Sequence, residues 1–176
     1  MRRGAFKRGL DRKSTTDARR PPAPAESNRL NDHSKRRSLA EMSHGELEKL
    51  LDAEISFQVR ASAAVELGCH GLIPCYTCGA MRHWKEMDAG HYIGRSNRGT
   101  RFDLRNIRPQ CTRCNAYEEG QHWKFRQALV AELGAKEVES LEFTASIWGA
   151  SKHSREWLIE QIQTWRKENA TLRRKL

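Results

Sequence analysis

The pattern of apolar and polar positions divides the chain into stretches of different period. Ser43-His44-Gly45-Glu46 has the form of a capping box, a Ser cap with Glu three residues on. Leu47, Leu50, Leu51, Ile55 and Val59 follow at helical spacing, which predicts a helix over 44–66, stopped by Gly68 and Gly71. From Leu72 the helical period is lost. Glu86 to Ile93 reads as a strand, and Gly94-Arg95-Ser96-Asn97-Arg98-Gly99 as a loop dense in turn residues. A returning strand is expected over Arg101–Arg105, with Asn106–Gln110 leading out of it and a short helix from Cys114. Beyond that the helical period returns. Gln121–Leu133 ends at Gly134, Lys136–Trp148 ends at Gly149, and Ser154 caps a last helix carrying Trp157, Leu158, Ile162 and Trp165. The fold class expected is α+β: a strand–loop–strand–helix unit with a helix before it and a helical C-terminal region.

Residues 1–41 show neither period. They are rich in Arg, Lys, Ser and Pro, poor in large apolar side chains, and read as a disordered basic tail. They carry 12 Lys and Arg against 5 Asp and Glu, so +7 of the formal net charge of +10 sits there. Such a charge favours a polyanionic partner, nucleic acid before an anionic membrane, and a basic arm lying along phosphates. At 176 residues the rest, 42–176, has room for one domain. No apolar run approaches the roughly 18 residues of a membrane span. The start Met-Arg-Arg is not followed by an apolar stretch, so no signal peptide is expected.

Cysteine usage changes the picture. Cys75-Tyr76-Thr77-Cys78 and Cys111-Thr112-Arg113-Cys114 are two Cys-x-x-Cys pairs with 32 residues between them. Each pair makes a tight knuckle, and four thiolates complete one tetrahedral Zn²⁺ site. A structural zinc of this kind supplies folding energy that a small module cannot draw from its core alone. Cys69 is left over and reads as a buried or free thiol.

Between and beside the knuckles lie Asp88, His91 and Asn115, residue types used by magnesium-dependent nucleases. Mg²⁺ takes hard oxygen ligands, which a carboxylate and an amide oxygen provide. A neutral imidazole can take a proton from an attacking water. Asn115 directly follows a zinc ligand, so the structural ion would fix its position. Arg95, Arg98, Arg101, Arg105 and Arg108 crowd the same region and are candidate phosphate contacts.

The ordered set Cys75-x-x-Cys78, His91, Asn106, Cys111-x-x-Cys114-Asn115 resembles the HNH (ββα-metal) nucleases. In the form Asp88-Ala89-Gly90-His91-Tyr92, then Arg105-Asn106-Ile107, then Gln110-Cys111, it closely resembles the phage NinG family, which includes the lambda Rap protein. That family is described as recombination endonucleases acting on Holliday junctions and D-loops. The resemblance implies His91 as general base, Asn106 as the brace of the hairpin, and Asn115 as a ligand of a catalytic Mg²⁺ or Mn²⁺. It is Asn at that last position, as in endonuclease VII. It further implies a zinc-stabilised ββα-metal module, branched DNA as partner, and work in the cytoplasm of a bacterial host. Junction resolution needs two cuts, which makes a homodimer attractive.

One departure stands out. Many relatives place the acidic ligand immediately before the His, where this chain has Gly90. Asp88 lies three residues before His91, and in a regular strand such residues face opposite ways. A bulge or kink at Gly90 is therefore expected if Asp88 is a ligand. Asp103 and Glu119 are the carboxylates in reserve. The residues by themselves also leave open a non-catalytic zinc module that binds branched DNA, an HNH nicking or restriction-like nuclease, and an RNA-directed protein.

Overall fold

The computed structural model describes residues 37–68 and 70–176. The tail as far as Arg36, and Cys69, lie outside the described residues. From Arg37 onward, Leu39–Glu41 form a short 3-10 turn capped by Ser38, and Leu39 and Met42 make its first apolar contacts with the core.

Helix α1 (His44–Leu67) begins at the Ser43/Glu46 capping box and ends where Gly68 adopts φ 60°, which returns its N–H to the Ala64 carbonyl. Strands β1 (Leu72–Pro74) and β2 (Met81–His83) pair antiparallel around the first knuckle. This hairpin was not read from the sequence. Strands β3 (Met87–His91) and β4 (Ile107–Cys111) form a second antiparallel pair, with Met87 opposite Cys111 and His91 opposite Ile107. A π-helical turn, Arg113–Tyr117, and a 3-10 turn, Glu119–Gln121, lead into α2 (His122–Leu133). Helices α3 (Ala135–Trp148) and α4 (Arg155–Lys175) follow. The fold is mixed α+β, with two small sheets among the helices of the described residues.

The returning strand differs from the expectation. It runs over Ile107–Cys111, and Leu104–Asn106 is a 3-10 turn. Asp103 caps that turn by accepting from the Arg105 amide at 2.8 Å, and its carboxylate also pairs with the Arg105 guanidinium. Arg101 is drawn towards α1 by Asp52 and Glu48. Both interactions keep 101–105 out of the sheet.

Helix α1 organises the core. Its residues Leu47, Leu51, Ile55 and Val59 pack with Ile107 of β4 and with Leu158 and Ile162 of α4. A turn or two later, Ala61 and Ala64 pack on Ile73, Trp84, Met87 and the buried knuckle cysteines. Apolar burial on this scale contributes about 1.5–3 kcal/mol for each large side chain. Buried Glu54 fixes the register of the two long helices: it accepts from Asn169 at 2.7 Å and pairs with Arg166 and Arg173 of α4. Tyr92, Phe125, Leu129, Val138 and Leu141 form a further cluster that seats α2 and α3 beside the end of β3.

Candidate active site

The four knuckle cysteines converge. Their sulfurs all lie within 4.8 Å of one another, with Cys78 Sγ and Cys111 Sγ 3.8 Å apart. A tetrahedron with Zn–S bonds of about 2.3 Å has sulfurs about 3.8 Å apart, so the donor set fits zinc in both number and spacing. Local backbone explains the convergence. The Gly79 N–H returns to the Cys75 carbonyl at 2.8 Å and closes the first knuckle, while the Cys111 N–H points at Cys75 Sγ at 3.3 Å. Burial raises the Cys75 thiol, but hydrogen bonds from the Thr77 hydroxyl and from backbone amides outweigh it and hold the group at about 6. Burial pushes Cys114 up to about 12, with the neighbouring thiols adding to the rise. A cation at the centre would bring all four to thiolate.

Asp88, His91 and Asn115 line one cleft of about 240 Å³ together with Arg60, Arg95 and Arg101. Asn115 Nδ2 donates to Asp88 Oδ2 at 3.3 Å, which leaves the Asn115 amide oxygen available as a ligand. His91 is half-buried, with Nε2 3.0 Å from the Arg101 carbonyl and Nδ1 3.2 Å from the Ala89 carbonyl. Burial lowers its pKa below the ordinary 6.5, and the Arg95 charge lowers it further against the pull of the two carbonyls. The imidazole is therefore neutral at pH 7.

No bulge brings Asp88 and His91 together. β3 and β4 pair residue for residue, Asp88 with Gln110 and Gly90 with Arg108. Gly90 serves a different purpose from the one expected. A Cβ there would run into the side chain of buried Gln110, 2.6 Å from its Cδ. Gln110 lies across Gly90 to donate to Thr77 Oγ1 at 3.1 Å and to the Gly120 carbonyl at 2.9 Å. It ties the first knuckle to the turn that follows Asn115. Asp88 and His91 share the cleft because α1 closes over this end of the sheet.

Asn106 is fully buried outside the cleft. Its Oδ1 accepts from the Ile93 amide at 2.7 Å, and its Nδ2 donates to the Ile93 and Thr100 carbonyls at 2.9 Å each. It staples the start of the β3–β4 connection to its end. The reserve carboxylates lie elsewhere: Asp103 pairs with Arg105, and Glu119 does not line the cleft.

The five candidate arginines divide. Arg101, on the cleft wall, pairs with Asp52 at 2.6 Å and Glu48 at 3.3 Å. Arg105 pairs with Asp103 and Glu137, and Arg108 with Glu132. Arg95 is exposed at the cleft, and Arg98 sits in the loop held by a 2.8 Å hydrogen bond from its amide to the Gly149 carbonyl. Three polar cleft residues were not expected from the sequence, Asp52, Ser56 and Arg60 of α1. Their only signal is a polar stripe, Asp52, Ser56 and Arg60, at four-residue intervals beside the apolar one.

The site is a cluster of four cysteines that could hold one metal ion, set beside a polar cleft in a mixed α+β frame. The chain belongs to the NinG family: the family model described as "Bacteriophage Lambda NinG protein" matches residues 3–176. "Protein ninG" of Escherichia phage 933W is 33% identical over 93 residues, 52% of this chain and 42% of the relative. "Protein ninG" of Escherichia phage lambda is 32% identical over 98 residues, 54% of this chain and 44% of the relative. The Salmonella phage P22 protein of the same name is likewise 32% identical over 98 residues. The matched region spans less than half the length of these relatives. No solved structure matches the chain. No helix among the described residues is long and apolar enough to cross a membrane.

Proposed function

We propose that this protein is a metal-dependent DNA endonuclease of the HNH (ββα-metal) kind, of the lambda Rap type, that cuts branched recombination intermediates in the cytoplasm of a phage-infected or lysogenic bacterium. The observation that carries the reading is the meeting of Asp88, His91 and Asn115 in one cleft, with Asn115 next to a cysteine of the zinc-type cluster. The donor set of carboxylate and amide oxygens fits Mg²⁺ or Mn²⁺. When bound there, such an ion supplies charge stabilisation to the phosphate and the leaving oxygen.

The chain's own groups account for the rest. A neutral imidazole has one N–H and one lone pair. With the N–H on Nε2, donated to the Arg101 carbonyl at 3.0 Å, Nδ1 keeps the lone pair and is the basic nitrogen. Nδ1 faces the Ala89 carbonyl at 3.2 Å, an acceptor against an acceptor. The 3.2 Å gap has no room for a water, so an attacking water would donate to Nδ1 from the open side of the cleft and be deprotonated there. Arg95 at the cleft and Arg98 in the loop are the DNA contacts of choice, because Arg101, Arg105 and Arg108 are already paired within the chain. The basic tail adds a sequence-independent attraction. Cutting both strands of a four-way junction would take two copies of the chain.

A second reading is favoured by one observation: both ring nitrogens of His91 lie against carbonyls, as in a purely structural histidine. It makes the protein a non-catalytic zinc module. Incubation with a synthetic four-way junction and with a linear duplex of the same sequence separates the readings. Cleavage of the junction in Mg²⁺ or Mn²⁺, abolished by EDTA, supports the nuclease. Equal cutting of both substrates points to a nicking or restriction-like enzyme, and binding with no cutting to the zinc module.

A further inference from the structure

Arg60 enters the cleft from α1, outside every motif that marked the site. Its Nε donates to the Ser56 carbonyl at 2.9 Å, and its Nη1 to the Met87 carbonyl at 3.0 Å and the Trp84 carbonyl at 3.5 Å. The guanidinium carbon lies 5.9 Å from the centre of the Trp84 ring. The side chain is therefore rigid, half-buried and aimed at the residue that precedes Asp88. Arg101, Arg105 and Arg108 of the β3–β4 region are ion-paired with carboxylates of the chain. Among the described residues, no carboxylate pairs with Arg60, and no hydrogen bond uses its Nη2. Asp88 is the acid whose charge it feels.

A guanidinium carries five N–H donors in a planar fork suited to phosphate oxygens. Three carbonyl acceptors occupy one side of this fork. Nη2 is the donor group left over, and Arg60 lines the cleft that also holds Asp88, His91 and Asn115. Arg60 feels the charge of Asp88 but touches no carboxylate, and holding a cation partly out of water without a contacting anion is costly, so such groups mark places where an anion is to be received. We propose that Arg60 binds a non-bridging oxygen of the DNA phosphate at this cleft, through Nη2, and holds it in line with the His91 side. The inference rests on the nuclease reading for the identity of the anion. Its geometry rests on Arg60 alone. Trp84, Ser56 and Met87 act by fixing the fork in advance, so little side-chain entropy is lost on binding.

The test uses the full chain as wild type, Arg60→Gln and Arg60→Lys, each checked for zinc content and melting temperature. Junction affinity is measured without divalent metal across a salt series, and single-turnover cleavage is measured with Mg²⁺. In Arg60→Gln the slope of log affinity against log salt should flatten by about 0.9, the loss of one phosphate contact. Cleavage should fall about 100-fold, the usual cost of losing one such donor. Arg60→Lys keeps the charge without the fork, so its slope should stay and its rate should fall about tenfold. A wild-type slope and rate in Arg60→Gln would overturn the proposal. If that variant does not fold, a wild-type rate in Arg60→Lys overturns it, and a tenfold loss there supports it. Absence of cleavage by wild type itself would contradict the nuclease reading, and the salt slope would still decide whether Arg60 holds a phosphate.

Discussion

Asn115 donates to Asp88 at 3.3 Å, from the turn that holds Cys114 to the strand whose first residue pairs with Cys111. Both partners of this bond are thus positioned by the elements that carry the second knuckle. The cysteine cluster and the cleft are mechanically one unit. If Asp88 and Asn115 share a catalytic ion, then Asn115→Ala and Asp88→Asn each weaken its binding. Cleavage by each variant should be reduced, and raising Mg²⁺ should restore part of it. A Mg²⁺ titration that shows the wild-type midpoint with only a lower plateau would contradict shared ligation.

Replacing Cys75, Cys78, Cys111 or Cys114 with Ser removes one of four thiolates. Zinc bound by four thiolates contributes roughly 10 kcal/mol or more to folding in small modules. Each variant should lose most of its zinc by elemental analysis and melt well below wild type. Folded, soluble wild type free of zinc would remove this part of the account.

The pH dependence follows from His91. Its folded pKa lies below 6.5, so the unfolded chain binds the extra proton first as pH falls. The contribution of His91 to stability is complete above pH 6.5 and is lost as pH drops from there through the folded value. Cleavage should rise with pH along a limb whose midpoint lies below 6.5, because the neutral ring is the base. Arg95→Gln removes one cause of the depression and should move that midpoint upward. A limb unmoved by Arg95→Gln would mean that another group controls it.

Two substitutions separate framework from chemistry. Gly90→Ala puts a methyl into Gln110 and should cost about 1–3 kcal/mol by overpacking, read as a lower melting temperature. Asn106→Ala breaks three hydrogen bonds that close the β3–β4 connection, and each orphaned buried group costs about 1–3 kcal/mol. Both variants should lose stability together with activity, and neither should be rescued by added Mg²⁺. Full stability in Asn106→Ala would show that the loop holds itself.

The residues that met in space were largely those whose chemistry the chain spells out locally. Cys-x-x-Cys pairs, the Ser43/Glu46 box and the Ser154 cap each report a short-range geometry, so the metal cluster and the long helices were legible. β4 was not, because Pro109 interrupts the strand pattern and the polar Arg108 and Gln110 flank it. Gln110 is buried by a bond to the distant Gly120, which no local signal announces. Arg60 and Asp52 were hidden in the polar face of α1, where charge ordinarily means solvent. Only the closure of α1 over β3 turns that face into a cleft wall. The bulge expected at Gly90 is absent: the strand stays regular, and the glycine makes room for a side chain from β4.

The most direct test of the central claim is junction cleavage by His91→Ala beside wild type, in Mg²⁺ and in Mn²⁺, with zinc content and junction binding measured on the same preparations. His91 is not part of the cysteine cluster, so the variant should fold, keep its zinc and bind the junction as wild type does. Its cleavage rate should fall by about 100-fold or more, the scale of a missing general base, and excess metal should not restore it. A wild-type rate in folded His91→Ala would contradict the assignment of this cleft as a nuclease site.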